Sequence, residues 1–297
     1  MARLFPLTRQ QRLQANARRR LGIRTAGGVS PDKQSEVDYR QALLGFLAQM
    51  QQDIENTLVL ELQRKEFEYT RDTFVDDFAN SLDLLKARWL LGNAQALGLA
   101  NQVVGRINKA TKADIEKVVG KAMGVNIAQV VESEGLGDAV NSSVRENVRL
   151  IKTIPQQYLD EIERIVLQET VKGRSATSII DQIREVHNVS ENRARVIARD
   201  QTNKINGELT RQRQTALRIR AFRWRTVGDE VVRESHRLRN GKVYAWAPEF
   251  VGQRLADGTV LLDPTVDDIG YPGEDIQCRC IAEPIIEPDR VVLAAAA

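Results

Sequence analysis

Apolar residues recur at intervals of three and four over most of the first two thirds of the chain, which places them on one face of a helix. Two such series are clear: Leu43, Leu47, Met50, Ile54 and Leu58, and then Phe74, Phe78, Leu82, Leu85 and Trp89. Thr111, with Asp114 three residues later, predicts another helix start, and so does Pro155, because proline is favoured in a first turn. The pattern predicts an α-helical domain over residues 31–215.

Two serines in the later part of this domain occupy positions typical of helix N-caps. Ser175 precedes one apolar series, and Ser190 precedes a second helix, whose apolar side holds Ala194, Ile197, Gln201, Ile205 and Leu209. Two helices joined by a short turn at His187 have the arrangement of a helix-turn-helix reader of DNA, and equally that of an ordinary αα-corner. We favour the corner, because it is the commoner arrangement.

After residue 215 the spacing changes from the helical period to two. In the stretch FRWRTV, which begins at Phe222, aromatic residues alternate with arginines, as they do on a strand with one buried face. Asn240-Gly241 and Asp257-Gly258 are typical of tight hairpin turns. We predict a small β-rich C-terminal domain over residues 216–290 and therefore an α+β fold.

The charge of the chain is uneven, although 43 Lys and Arg against 40 Asp and Glu leave a net charge of only +3. Residues 1–30 form a basic arm without acidic residues, and residues 190–242 hold fourteen Lys or Arg against six Asp or Glu. Arginine matches phosphate oxygens with a forked donor set. We expect contact with double-stranded DNA or an acidic protein surface at Arg18, Arg19, Arg20, Arg193, Arg195, Arg211, Arg213, Arg220, Arg223 and Arg225.

The hydrophobic stretches are short, and none approaches the roughly 18 residues that a membrane span needs. The basic N-terminus is not followed by a continuous apolar segment, so we expect neither a secretory signal nor a membrane partner. These features favour synthesis in a reducing cytoplasm.

The two cysteines of the chain, Cys278 and Cys280, are one residue apart. Together with His236 and Asp229 they have the side-chain types that zinc accepts. The alternative is that both thiols pack on one side of a strand, with Arg279 on the other side. We favour packing and expect no cofactor, and zinc remains the alternative.

The histidine raises the question of catalysis. His236, Asp229 and the two thiols are candidates for a metal-dependent, nuclease-like hydrolase, because a general base needs such partners within hydrogen-bond reach. The alternative is that His236 braces the Asn240-Gly241 hairpin through its ring nitrogens. We favour the bracing role and expect no catalytic residue.

Three blocks occur in fixed order: RARVIARDQTNKINGE, FRWRTVGDEVVRESHRLRNGKVY and YPGEDIQCRCIAEPI. Together, over roughly residues 170–286, they resemble the phage Mu F-like family of minor head proteins, also called phage head morphogenesis proteins. The chain departs from the family at Arg199-Asp200-Gln201, where the family helix usually continues Arg-Thr-Glu. The matching positions are Arg199, Asn206, Trp224, Asp229, Val232, Arg233, His236, Gly241, Pro272, Gly273, Cys278, Arg279 and Cys280.

The resemblance implies a function in the virion. Such a protein is expected in several copies in the phage head near the portal, in contact with the portal protein and with the major capsid or scaffolding protein. It is also expected to contact packaged DNA or to assist DNA ejection. The family implies no established catalytic activity, so the matching residues are expected to be structural.

Overall fold

The protein is described by a computed structural model, which covers residues 22–65, 71–90, 93–132, 135–266, 270–288 and 290–291. We number its elements in chain order. They are β1 Arg24–Thr25, α1 Lys33–Ile54, a π-helical turn Glu55–Val59, α2 Leu60–Lys65, α3 Arg71–Leu90, α4 Asn93–Met123, α5 Ala128–Glu132, α6 Gly137–Val171, α7 Ala176–Ala216, β2 Ala221–Arg225, α8 Glu234–Arg237, β3 Val243–Ala245, a 3₁₀ turn Pro248–Phe250 and β4 Ile281–Ile286. The fold is α+β, as the sequence predicts.

The helical series read from the sequence are confirmed by burial. All five residues of the first series are at most 1% exposed, and they lie on α1 and the π-helical turn. The second series is buried on α3 from Phe78 to Trp89. The side chain of Phe74 lies outside the described part of the structure. None of the described helices combines the length and the apolar character needed to cross a membrane.

Two predicted helix starts are wrong, because the helices run through them. Thr111 lies inside α4 and is 1% exposed, and its hydroxyl donates back to the carbonyl oxygen of Ile107 at 2.8 Å instead of capping a new helix. Pro155 lies in the middle of α6, where it is buried. A proline inside a helix removes one backbone hydrogen bond. Here burial of the apolar ring offsets part of that loss.

The most consequential correction concerns α7, which is a single helix of 41 residues. Ser175 does precede its first turn, and its Oγ accepts from the backbone N–H of Ser178 at 3.3 Å. Ser190 does not begin a helix but is buried within α7, because the apolar face continues on both sides of it. Both the helix-turn-helix and the αα-corner are therefore wrong, and His187 lies within the helix.

The sheet contains four antiparallel strands in the order β1-β4-β2-β3. The alternation predicted from Phe222 onwards is confirmed as β2. At Asp257-Gly258 a tight turn joins paired Arg254 and Val260. At Asn240-Gly241 the prediction is only half right, because β3 follows the turn but the short helix α8 precedes it.

The chain divides into two compact units, which we describe separately. The helical unit comprises Glu36–Val103 and Val144–Arg199, and the sheet unit comprises the described residues of Met1–Ser35, Val104–Ser143 and Asp200–Ala297. The division of the chain into an arm, a helical domain and a β-rich domain, at residues 30 and 215, remains a prediction.

Aromatic side chains form the centre of the sheet unit. Phe222 and Trp246 have ring centroids 4.0 Å apart, and Trp246 stacks on Tyr271 at 5.7 Å. Trp224 is fully buried beside them. Both cysteines belong to this same core, so the core places them close to the strands that carry the family motif.

Candidate functional site

His236, Cys278 and Cys280 form a compact buried cluster in the sheet unit. His236 lies on α8, and the cysteines lie in the irregular segment before β4. The three residues are only 3%, 3% and 6% exposed. Nδ1 of His236 lies 3.6 Å from Sγ of Cys278 and 3.4 Å from Sγ of Cys280. All three potential ligand atoms lie within 4.8 Å of one another, so they could hold one metal ion.

This geometry changes two expectations for these residues. The cysteines do not lie on a strand, although both are packed in the core as expected. His236 does not brace the Asn240-Gly241 turn through its ring nitrogens, because Nδ1 faces the two thiols and Nε2 lies 3.4 Å from Oδ2 of Asp275.

The two sulfur atoms have different surroundings. Sγ of Cys278 accepts from the backbone N–H groups of Gly273 and Cys280, each at 3.4 Å. A hydrogen bond from the Cys280 thiol, with these backbone donors, lowers the pKa of Cys278 to about 6 in spite of its burial. The same hydrogen bond, together with burial, raises the pKa of Cys280.

An ion pair lies beside the Nε2 side of the imidazole. Arg233 binds Oδ2 of Asp275 at 2.6 Å and the carbonyl oxygen of Ile276, also at 2.6 Å. That carboxylate faces Nε2 of His236, although the contact is not aligned as a hydrogen bond. The arginine therefore fixes the carboxylate next to the histidine.

Asp229 is not part of the cluster, so the prediction that it supplies a metal ligand is wrong for this structure. Both of its carboxylate oxygens accept from Arg279, at 2.5 and 2.8 Å. The hydrogen bond from Arg279 lowers the pKa of Asp229. This bidentate pair connects the segment after β2 to the position between the two cysteines.

The Pro272-Gly273 turn packs closely on α7. A Cβ atom on Gly207 would lie 2.5 Å from the carbonyl oxygen of Pro272, and one on Gly273 would lie 2.9 Å from that of Asn203. Gly273 also has φ +90°, which disfavours other residues. Asp200 Oδ1 accepts from the backbone N–H of Gln277 at 2.6 Å. One face of α7 therefore holds the turn that leads into the cysteines.

Three further motif residues have structural contacts. Asn206 is 3% exposed, and its Nδ2 donates to the carbonyl oxygen of Val29 at 3.1 Å, while its Oδ1 lies 3.1 Å from the Thr111 hydroxyl oxygen. The Trp224 ring meets His236 edge to face at 5.6 Å. Gly241, at φ +82°, donates its N–H to the carbonyl oxygen of Trp224 at 2.8 Å.

The arginines expected to contact DNA or a partner fall into three groups. Arg18, Arg19 and Arg20 lie outside the described residues. Arg213 and Arg220 are 1% and 5% exposed, so the prediction is wrong for these two, whose guanidinium groups bind neighbours inside the protein.

The remaining five arginines keep some access to solvent. Arg193 and Arg195 are exposed on α7, and Arg211, Arg223 and Arg225 are half-buried. Several already have acidic neighbours, such as Glu191 for Arg195 and Glu283 for Arg225. Their contact with DNA or a partner stays a prediction.

Comparison with known proteins agrees with the motif. Residues 160–283 match the family model described as Phage Mu protein F like protein. Over these residues the chain is similar to the phage Mu protein F like family. The match includes α7, β2, α8, β3 and the start of β4, and it confirms the resemblance read from the sequence. It suggests a protein of phage head morphogenesis.

A second comparison extends over most of the chain. A Haemophilus influenzae protein described as uncharacterized is 28% identical over 276 residues, which are 89% of this chain and 56% of that protein. The chain thus spans about half the length of the curated relative it matches. No solved structure gives a significant match.

Asp200, Gly207 and Asp275 were not identified from the sequence as residues that shape the site. Gly207 had a usable signal, because a glycine inside a helix is unfavourable and implies a close approach by another segment. Asp200 and Asp275 had no comparable signal, because an acidic residue in a sequence is usually taken to be exposed. Their partners, Gln277 and Arg233, lie 77 and 42 residues away along the chain.

Proposed function

We propose that this protein is a minor head protein of a tailed phage, that it acts in head morphogenesis next to the portal, and that it works as a structural component. The observation on which the proposal rests is the match of residues 160–283 to the phage Mu protein F like family.

The geometry of the motif supports a structural role. Asn206, Arg233 and Arg279 all use their polar groups on contacts within the chain. A catalytic side chain must instead be able to reach a substrate. These contacts support a structural role for the motif positions, with partner contacts at other surfaces.

The second candidate is a metal-dependent hydrolase centred on His236 and the two thiols. The clustering of these three residues favours it, but their burial leaves no more than 6% of any of them exposed, and Asp229 is held by Arg279. Turnover of nucleic acid or peptide by the purified chain, lost in Cys280→Ser, would establish the hydrolase and contradict a purely structural role.

We propose that the partners are the portal protein and either the major capsid or the scaffolding protein, with several copies of this chain in each virion. Contact with packaged DNA, or assistance in its ejection, would use exposed arginines such as Arg193 and Arg195. Because such contact would be to phosphate, the affinity should be the same for all DNA sequences and should fall steeply as the salt concentration rises.

The experiment is to delete the gene from a phage or prophage that encodes this chain, complement it with a tagged copy, and analyse purified heads. We expect the tagged chain in heads and in complexes pulled down with the portal, and malformed or non-infectious particles without it. Normal infectious heads that lack the chain, with the tagged protein only free in the lysate, would contradict the proposal.

A further inference from the structure

We propose that His236, Cys278 and Cys280 bind one zinc ion, which joins α8 to the segment before β4. The inference is independent of the proposed role in the phage head, because it concerns only the chemistry of the sheet unit.

The distances fit a tetrahedral ion. With Zn–S bonds of about 2.3 Å and Zn–N bonds of about 2.0–2.1 Å, a tetrahedral angle separates sulfur from nitrogen by about 3.6 Å. The two separations in the protein, from Nδ1 of His236 to Sγ of Cys278 and of Cys280, are 3.6 and 3.4 Å. The two sulfur–nitrogen separations therefore suit an ion bound between these atoms.

Hydrogen bonds satisfy this cluster only weakly. A neutral imidazole has one acceptor nitrogen, so Nδ1 of His236 can take a proton from only one of the two thiols, and the other thiol must donate to sulfur, which is a weak acceptor. Both thiols are buried, and Cys278 already accepts two backbone N–H groups, an arrangement that suits a thiolate. A buried thiolate needs a positive partner, and a divalent ion supplies one to both sulfurs.

The surrounding residues match the second layer of a metal site. A metal-bound histidine usually donates its other ring N–H to a carboxylate, which fixes the tautomer and the ring orientation. Here Nε2 of His236 lies 3.4 Å from Oδ2 of Asp275, and Arg233 holds that carboxylate in place. With the metal on Nδ1, the proton stays on Nε2, beside Asp275, although the two groups are not aligned as a hydrogen bond in this structure.

The donor set selects the ion. Two thiolates and an imidazole are soft and borderline ligands, which favour zinc over magnesium or calcium, since those ions prefer oxygen. No fourth His, Cys, Asp or Glu joins the group within the described residues. The fourth position of the tetrahedron is therefore assigned to water or another small ligand.

The site would stabilise the turn that packs on α7. Gly273 donates its N–H to Cys278, and the same turn is held by Asp200 through Gln277. Metal binding that requires the folded arrangement adds its free energy to folding. Removal of zinc should therefore loosen the segment from Pro272 to Cys280 first.

The test uses the full-length chain, purified under reducing conditions and analysed for metal. We expect about one zinc per chain, and a loss of at least about tenfold in Cys278→Ser/Cys280→Ser and in His236→Gln. His187→Gln is the matched control, because His187 is the other histidine of the chain and lies on α7, outside the cluster. It should keep its zinc.

A cobalt titration of the wild-type chain decides the question without variants. After removal of zinc by a chelator, added Co²⁺ should give the intense visible absorption of a tetrahedral site and the charge-transfer band of a cobalt–thiolate bond, and zinc should displace it. A reduced chain that holds no zinc and gives neither band with Co²⁺ would overturn the proposal, as would His187→Gln losing as much zinc as His236→Gln.

Discussion

The helical unit and the sheet unit are stabilised in different ways. On α1 of the helical unit, Leu43, Leu47 and Met50 are fully buried at helical spacing. In the sheet unit, Arg213 and Arg220 are as buried as many apolar residues. An apolar stripe is satisfied by several side chains of similar volume, whereas a buried arginine needs particular partners. The sheet unit should therefore tolerate fewer substitutions at its buried positions than the helical unit.

The largest effect should come from the buried ion pair of the sheet unit. Arg220 donates twice to Glu287, at 2.6 and 2.9 Å, and also to Gln253 and to the carbonyl oxygen of Arg254. Arg220→Gln would leave Glu287 largely buried without its main partner, so we expect a loss of about 3–5 kcal/mol in the free energy of unfolding. Urea denaturation would measure it.

The matched control is Arg164 on α6, in the helical unit, which pairs with Glu161 at the surface. Because exposed pairs are worth little, Arg164→Gln should change stability by no more than about 0.5 kcal/mol. If Arg220→Gln and Arg164→Gln lowered the free energy of unfolding equally, buried polar contacts would not be what makes the two units differ. Replacing both Arg220 and Glu287 by Met should restore much of the loss.

A second experiment tests whether the helical unit tolerates exchange of its apolar residues. Leu47 is 0% exposed, so Leu47→Ala should cost about 2–5 kcal/mol, because it removes buried methyl groups and leaves a cavity. Leu47→Met keeps the volume and should cost less than about 1.5 kcal/mol. Thermal unfolding followed by circular dichroism would report both. A Leu47→Met loss as large as that of Leu47→Ala would contradict the comparison.

The third effect comes from the glycine contact between α7 and the Pro272-Gly273 turn. Gly207→Ala places a Cβ atom 2.5 Å from a backbone oxygen that cannot move away freely. We expect a net loss of about 1–3 kcal/mol, since overpacking outweighs the gain in helix propensity. Gly45, on α1, is the control, because a Cβ atom there meets nothing within 4 Å. Gly45→Ala should stabilise by about 0.5–1 kcal/mol. Stabilisation by both substitutions would refute the close contact.

The sequence predicts the helical unit better than the sheet unit, and the reason is the range of the interactions. Leu47 and Trp89 could be assigned to a buried face because that face repeats within a few residues. The ends of helices were harder to predict, since Ser190 and Pro155 have local preferences that a continuous apolar face overrides.

In the candidate site, the residue types were predicted but their grouping was only partly so. His236 and the two cysteines do come together, whereas Asp229 does not, because Arg279 binds it from the position between the thiols. Such a competition between partners is decided by the folded geometry, and spacing along the chain contains no information about it.

The smallest effect should come from the N-cap of α7, in the helical unit. It tests whether a single hydrogen bond contributes to the stability of this unit beside its apolar packing. Ser175→Ala removes the acceptor of the Ser178 N–H, so we expect a loss of about 1 kcal/mol, measured by urea denaturation. Ser142→Ala, at an exposed position inside α6, should be neutral or slightly stabilising, because alanine is the better helix former. If Ser175→Ala also leaves the free energy of unfolding unchanged, the start of α7 depends on its buried face and not on its cap. Apolar packing would then determine the helix ends of this unit as well.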